Sequence, residues 1–303
     1  MSAATVAGAR TGPLLRLLLT VALCAWLWTW LARHADLGEL AAQVARLPAW
    51  SWGAAAIGLV GGHALRALRL QREWRHVRPV GLLPCLRILL LHNALVLVMP
   101  LRSGEVGFLW GVQREWGVGW KSAGLALLRW RLQDAIVLAL LAVLLLFPAT
   151  LPWRLLVAGA AALVAAAVLP RVWAWLLARS GVHAHAVQAP WWGGFGASAG
   201  NWICKLVANG SLLAALAGIP LASALRGALG GEIAGVQPLQ PPAGLGVYEG
   251  GTWLATALPT TWQAQVVSAA LAVHAFSLAI ALGAAALSRL PLAWRPGAGN
   301  AAP

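Results

Sequence analysis

The sequence predicts an all-α, polytopic helical membrane protein, and three observations lead to that class. Of its 303 residues, 60% are hydrophobic and only 10% are charged, which is more apolar surface than the core of a water-soluble domain can bury. Apolar runs of about 20 residues, the length that a helix needs to cross the hydrocarbon layer, recur from residue 13 to residue 290. Basic residues collect at the ends of these runs, as they do beside membrane spans.

The apolar runs, taken in order, predict six or seven full spans in a single membrane domain, 1–303. The clearest spans are expected at 13–32, 50–70, 132–147, 155–169, 197–219 and 264–287. We expect two pseudo-symmetric halves, 1–147 and 148–295, followed by a disordered tail, 296–303.

Two regions between these spans predict broken helices. The stretch 85–116 contains a short apolar run, which His92 and Asn93 interrupt and basic residues flank on both sides. We therefore expect it to be at least partly re-entrant. The Gly- and Pro-rich region before the last span predicts half-helices at 221–236 and 244–258. Non-helical backbone at membrane depth needs protein or a wet cavity around it.

The net charge of +14 is distributed in a way that indicates membrane topology. At the end of the second predicted span a basic residue recurs at every third position: Arg66, Arg69, Arg72, Arg75 and Arg78. The positive-inside rule places this loop in the cytoplasm, where it would contact anionic headgroups at the membrane surface. We expect both termini on the cytoplasmic side of a bacterial inner membrane. No basic face with aromatic platforms is apparent, so nucleic acid is not an expected partner.

The two broken regions each place Pro, then Gly, then Glu at a helix break. Residues 99–105 read Met-Pro-Leu-Arg-Ser-Gly-Glu and end at Glu105, and residues 241–249 read Pro-Pro-Ala-Gly-Leu-Gly-Val-Tyr-Glu and end at Glu249. Broken helices in corresponding positions of two halves are typical of transport sites. The alternative is a reoriented loop at the interface, with both carboxylates facing water.

Arg131 and Asp134 are three residues apart and therefore occupy neighbouring positions on one helix surface. One interpretation is a local ion pair that satisfies both charges without a ligand. The other keeps the pair but exposes it to a cavity, where the arginine can bind a lipid phosphate. The sequence leaves both interpretations open.

Asn201, Lys205 and Asn209 recur at intervals of four, which predicts a single polar stripe on the span 197–219. A lysine near the middle of an apolar span must pair, snorkel or line water. Lys205 is thus a candidate to bind an anionic headgroup or Glu232. The structural alternative ties Lys205 to Glu232 or Asp134 only to fix the bundle.

These observations predict a polar cavity where the two halves meet. We expect its ionisable lining to be Glu105, Arg131, Asp134, Lys205, Glu232 and Glu249, with Asn201 as a further substrate-binding residue. No metal-binding, nucleotide-binding or nucleophile motif is present. The sequence therefore predicts no metal and no cofactor, and it specifies no covalent reaction.

The chain resembles the transmembrane region of the lysylphosphatidylglycerol synthase/flippase family over most of its length. The residues that carry the resemblance are, in order, Arg69, the stretch 93–105, Arg131 with Asp134, and the stretch 241–249. Relatives more often continue a glycine run where this chain has Ala243. In full-length relatives, aminoacyl transfer belongs to an attached soluble domain, and we do not expect synthase activity here.

The resemblance implies an inner-membrane protein that binds and translocates a polar-headed lipid of the aminoacylated phospholipid, isoprenoid-linked sugar or hopanoid type. Its expected partners are membrane lipids and anionic headgroups. Two alternatives remain at this point. The chain could be a non-catalytic partner of a membrane glycosyltransferase or lipid synthase, or an enzyme that transfers a group to a lipid with a carboxylate as general base.

Overall fold

The computed structural model describes residues 32–289 apart from 76–78, 183–190 and 238–240, together with a few positions between 22 and 29. All regular secondary structure in those residues is helical, which confirms the all-α class. The predicted tail and most of the predicted first span lie outside the described residues.

The α-helices are numbered here in chain order. Their bounds are α1 Leu37–Arg46, α2 Ala49–Trp74, α3 Leu82–Val98, α4 Val106–Trp116, α5 Trp120–Leu146, α6 Leu151–Ser180, α7 Phe195–Ala217, α8 Leu221–Gly235, α9 Val247–Thr256 and α10 Gln263–Leu287. Short 3₁₀ turns lie at Pro100–Glu105, Trp191–Gly194, Pro242–Gly244 and Thr260–Trp262.

Two of the described helical segments are long and apolar enough to cross a membrane when judged by length and composition. They are α6 and the segment Thr260–Leu287, which includes α10. In α6 the apolar side chains of Leu155, Leu163 and Val164 are more than half exposed. The number of full spans remains a prediction.

The first hairpin, 82–116, consists of α3, a 3₁₀ turn and α4. The chain reverses direction at the turn, and α4 packs back along α3. Gly107 therefore lies against the Leu95 side chain, and Gly111 lies against Ile88. A Cβ atom on Gly104 would lie 2.2 Å from the Leu95 carbonyl carbon, so only glycine permits this approach of the turn to α3. The stretch predicted to be re-entrant is therefore a helical hairpin.

The second hairpin, 221–256, consists of α8, a break and α9. Gly230 and Gly251 face each other so closely that a Cβ atom on Gly230 would lie 2.4 Å from the Gly251 carbonyl oxygen. Small residues allow two helix backbones to approach in this way. The break contains Ala243 with a φ angle of 59°, in the left-handed region that favours glycine. The two predicted half-helices correspond to α8 and α9.

Helices α2 and α7 pack antiparallel in the centre of the molecule. Gly58 contacts Ala208, and Gly62 contacts Asn201; the two contacts are about one turn apart on α2 and about two turns apart on α7. Apolar side chains from α2, α7 and α10 form a common core around Leu212. This packing brings the polar middle of α7 beside the polar middle of α2.

Candidate functional site

A polar cavity of about 190 Å³ lies between the two hairpins and the central helices. Residues of α2, α3, α5, α7, α8, α9 and α10 contribute to its wall, as does the break of the second hairpin. Its charged lining residues, among those that the structure describes, are Arg66, Arg131, Asp134, Lys205 and Glu232. The cavity can thus offer both signs of charge to a polar ligand.

The polar stripe of α7 forms one wall of this cavity, as the spacing predicts. Asn201 and Lys205 line the cavity, and the Lys205 Nζ atom lies 2.6 Å from Glu232 Oε2 on α8. Asn209 is fully buried and donates to Glu232 Oε1 over 3.2 Å. The Lys205 side chain keeps 35% of its surface exposed while Glu232 keeps 7%, so the ammonium group can meet a ligand without leaving its partner.

Asp134 and Arg69 form a second charged pair, at 2.9 Å between Asp134 Oδ1 and Arg69 Nη1. The Ser198 hydroxyl also donates to Asp134, and Arg69 donates to the Trp130 carbonyl oxygen. Arg69 stacks over the Trp130 ring, with 4.9 Å between its Cζ atom and the ring centroid. A buried pair with this many partners holds α2, α5 and α7 together.

Arg131 pairs with Glu105, and this pair differs from the local ion pair that the sequence allowed. The Arg131 Nη2 atom lies 2.8 Å from Glu105 Oε1, and both side chains are about 30% exposed. Asp134 binds Arg69 instead. Each member of the predicted local pair thus bonds to a residue of another element.

Glu249 does not line the cavity, which corrects its predicted role there. It is fully buried, and His274 Nδ1 lies 2.7 Å from its Oε1 atom. Its Oε2 atom accepts a hydrogen bond of 2.6 Å from the Gly246 backbone N–H at the start of α9. Glu249 lies three residues after that N-cap position, where a carboxylate can reach back to satisfy a free N–H. Glu105 likewise is absent from the described cavity lining, and it binds Arg131, which is part of that lining.

The predicted basic membrane surface is also wrong in part. Arg69 is 2% exposed, and Arg66 lines the cavity and donates to Asn93 Oδ1 over 2.9 Å. Both side chains belong to the body of α2, which continues past the predicted end of the span. Arg72 and Arg75 are exposed, as predicted, and Arg78 lies outside the described residues.

Several polar residues near the site were not predicted. Glu73 and Arg129 form a buried ion pair, and the Trp130 indole N–H also donates to Glu73 over 3.4 Å. Glu73 is four residues after Arg69, so both lie on one face of α2. Extending the polar face of the span into the basic stretch would have found Glu73 but not its partner on α5.

Comparisons with known proteins reach the family level. Searches of curated proteins and of solved structures found no match for this chain. A family model described as the lysylphosphatidylglycerol synthase TM region matches residues 14–285. That range includes both hairpins and every described residue of the cavity wall. The chain therefore belongs to the lysylphosphatidylglycerol synthase transmembrane-region family.

Proposed function

We propose that this protein binds polar-headed lipids and passes their headgroups across the membrane through the cavity between the hairpins. The observation that carries this proposal is the convergence of charged side chains from four helices, α2, α5, α7 and α8, on one polar space. A lipid tail can stay in the bilayer throughout. The protein then has to lower only the cost of removing the headgroup from water.

The charges favour an anionic headgroup. The described lining contains three cationic side chains, Arg66, Arg131 and Lys205, against two carboxylates, Asp134 and Glu232. Lys205 keeps 35% of its side-chain surface exposed and Arg131 keeps 29%. A phosphate can therefore bind to both while each retains its carboxylate partner. The headgroup could be that of an aminoacylated phospholipid, an isoprenoid-linked sugar or a hopanoid.

The membrane arrangement that accompanies this function adds further spans to the two that are long and apolar enough to cross a membrane. Helices α2, α5 and α7 have 26, 27 and 23 residues, and about 20 suffice to cross the hydrocarbon layer. Their charged residues Arg69, Glu73 and Arg129 face the interior of the bundle and are buried, which is how spans tolerate charge. These three helices bring the total to five, and the predicted first span at 13–32, most of which lies outside the described residues, brings it to the lower of the predicted six or seven. The spans lie in an inner membrane with cytoplasmic termini and two pseudo-symmetric halves.

The test is leaflet exchange in liposomes that contain the purified protein and fluorescently labelled lipids. Two changes remove cavity charges without leaving an isolated buried charge: Arg131→Gln, and the double change Lys205→Gln with Glu232→Gln. We expect leaflet exchange in the double variant to be at least about tenfold slower. A loss of about 1.4 kcal/mol in headgroup binding corresponds to a factor of ten. Arg114→Gln, an exposed arginine outside the described cavity wall, is the control. Equal rates in all proteins would contradict translocation.

An accessory role is the second candidate, and the exposed Arg72 and Arg75 favour it. They lie three residues apart at the end of α2, where they could bind an acidic face of a membrane glycosyltransferase or lipid synthase. In that case Arg72→Gln with Arg75→Gln abolishes function in cells, while the Lys205 and Glu232 double change leaves it intact. The opposite pattern supports the cavity.

A further inference from the structure

A second polar cavity, of about 180 Å³, lies between α1, the end of α7 and the start of α10. It shares none of its described lining residues with the first cavity. Gln265 in its wall and Ser277 in the wall of the first cavity are both on α10, about 18 Å apart at ~1.5 Å per residue. The second cavity is therefore a separate space nearer one end of the bundle.

The orientation of α1 makes this cavity polar. Glu39, Gln43 and Arg46 recur at the i, i+4 and i+7 spacing that places residues on one face of a helix, and all three line the cavity. The exposed residues elsewhere on α1 include Ala41, Val44 and Ala45. A helix at a water-exposed surface normally turns its polar face outward. Here the polar face points to the cavity, beside Leu40 and Leu47, which pack against the core.

Gln43 provides the sharpest evidence for a ligand. It is only 3% exposed, and its Nε2 atom donates to Glu39 Oε1 over 3.3 Å and to the Gln265 carbonyl oxygen over 3.4 Å. Its Oε1 atom is buried and, within the described residues, accepts no hydrogen bond. A buried acceptor without a donor is unfavourable, and a donor group that reaches Gln43 from the cavity would satisfy it.

The two charges of the wall define the rest of the ligand. The Glu39 carboxylate lies beside Gln43, and the Arg46 guanidinium lies two turns further along the same face. An ammonium group suits the carboxylate and the free amide oxygen, since it has three donors and no acceptor. A phosphate suits the arginine, which binds phosphate oxygens in pairs. The wall thus matches a zwitterion.

We propose that this second cavity binds a phosphoethanolamine group, with its ammonium on Glu39 and Gln43 and its phosphate on Arg46. The group could belong to a phosphatidylethanolamine lipid or to a soluble molecule. The proposal goes beyond translocation and rests on the proposed function only in taking a membrane lipid as the first ligand to test. It assigns a zwitterion site distinct from the cationic first cavity.

The experiment is native mass spectrometry of the full chain in detergent micelles, titrated with phosphatidylethanolamine or phosphatidylglycerol. Glu39→Gln and Arg46→Gln are the test variants. Their controls are Glu115→Gln and Arg33→Gln, which change exposed residues outside the described wall of this cavity. We expect each test variant to weaken phosphatidylethanolamine binding about tenfold, as loss of one charged hydrogen bond does. Glu39→Gln should leave phosphatidylglycerol binding unchanged, because that lipid has no ammonium group.

Three results would overturn the proposal. They are unchanged phosphatidylethanolamine binding in both test variants, equal losses in the controls, and no stoichiometric lipid, which would indicate a recess that holds water only. Arg46 is exposed, so its variant remains a fair test if Glu39→Gln does not fold. Thermal unfolding of each protein identifies that case.

Competition with soluble phosphoethanolamine identifies the source of the group. Displacement of the lipid at similar concentrations supports a site for the free zwitterion, and retention of the lipid supports a lipid site. The Arg131→Gln protein separates this proposal from translocation. Slower leaflet exchange with unchanged phosphatidylethanolamine binding supports both proposals. Unchanged exchange rejects translocation, and the proposal for the second cavity is then decided by phosphatidylethanolamine binding alone.

Discussion

The two hairpins carry the same order of Pro, Gly and Glu at their breaks, yet they hold their glutamates in opposite ways. In the first hairpin, Glu105 is about 30% exposed and binds Arg131 on α5. In the second hairpin, Glu249 is fully buried and binds His274 on α10 and the Gly246 N–H of its own helix. Each glutamate binds a residue of the first cavity's wall, Arg131 or His274, but of the two only Glu105 is itself partly exposed.

The backbones of the two breaks also differ, and the second is again the more constrained. The first break, Pro100–Glu105, is a continuous 3₁₀ turn and includes none of the positive φ angles found in the described chain. The second break has left-handed or related conformations at Ala243, Gly244 and Gly246. Both hairpins contain a close backbone contact, at Gly104 in the first and between Gly230 and Gly251 in the second, so the positive φ angles and the buried glutamate are what set the second hairpin apart. We infer that the second hairpin is the rigid one and that the first can adjust to a headgroup.

The largest effect is expected from Gly230→Ala in the second hairpin. The new Cβ atom would lie 2.3 Å from Ala255 Cβ and 2.4 Å from the Gly251 carbonyl oxygen. Helices α8 and α9 would have to separate, at a cost of about 3 kcal/mol, the upper end of typical overpacking penalties. Thermal unfolding in detergent micelles, followed by circular dichroism, measures the loss.

Gly283→Ala is the matched control. Gly283 lies in α10, and a Cβ atom there meets nothing within 4 Å. Alanine should stabilise this exposed helical position by about 0.5–1 kcal/mol. If both changes lowered stability alike, the close contact at Gly230 would not explain the loss of stability in the Gly230→Ala protein.

The second largest effect is expected from Glu249→Gln. The change keeps the shape of the side chain but weakens its hydrogen bonds to His274 and Gly246, and both lie in the interior. Hydrogen bonds to charged groups contribute about 1.5–3 kcal/mol, and we expect a loss in that range. A double change with His274→Gln should cost less than the sum of the single changes, since the two residues share one interaction. Additive losses would show that the pair is not coupled.

The sequence predicted the hairpins better than the state of their glutamates. Pro and Gly restrict or free the backbone at their own positions, so the breaks near Pro100 and Pro241 could be located directly. The partner of each glutamate comes from a distant helix, 26 residues away for Arg131 and 25 for His274. Which helix lies beside a break depends on packing of the whole bundle, which residue spacing along one helix does not reveal.

The same limit explains the cavity. The spacing of Asn201, Lys205 and Asn209 predicted one polar stripe because the helical repeat is fixed, and the structure confirms the stripe. The opposite wall could not be predicted, because spacing alone does not show that Arg66 and Arg69, at the end of the predicted span 50–70, face the interior of the bundle. Arginine is frequent at span ends, which favours the surface for both, whereas the structure places Arg66 beside Asn93 and buries Arg69 beside Asp134.

A smaller effect, of opposite sign, is expected from Ala243→Gly. Ala243 has a φ angle of 59°, a conformation that costs an L-residue about 1–2 kcal/mol. Glycine removes this cost, but its more flexible unfolded chain offsets about 0.5–1 kcal/mol of the gain. We expect net stabilisation of about 0.5–1 kcal/mol in thermal unfolding. Leu101→Gly in the first break, where no positive φ occurs, should destabilise. Stabilisation by both glycines would mean that the two breaks have the same backbone requirement.

The smallest effect on stability is expected from Glu105→Gln in the first hairpin. Exposed ion pairs contribute about 0–1 kcal/mol, and both members of this pair are about 30% exposed, so thermal unfolding should shift far less than with Glu249→Gln. The functional consequence should be larger, because Arg131 then lacks a carboxylate that restrains it at the cavity wall. We expect leaflet exchange to change several-fold, about 1 kcal/mol in barrier height, while the folded fraction stays constant. If Glu105→Gln lost as much stability as Glu249→Gln, the first hairpin would hold its glutamate as firmly as the second. The contrast between an adjustable and a rigid hairpin would then be wrong.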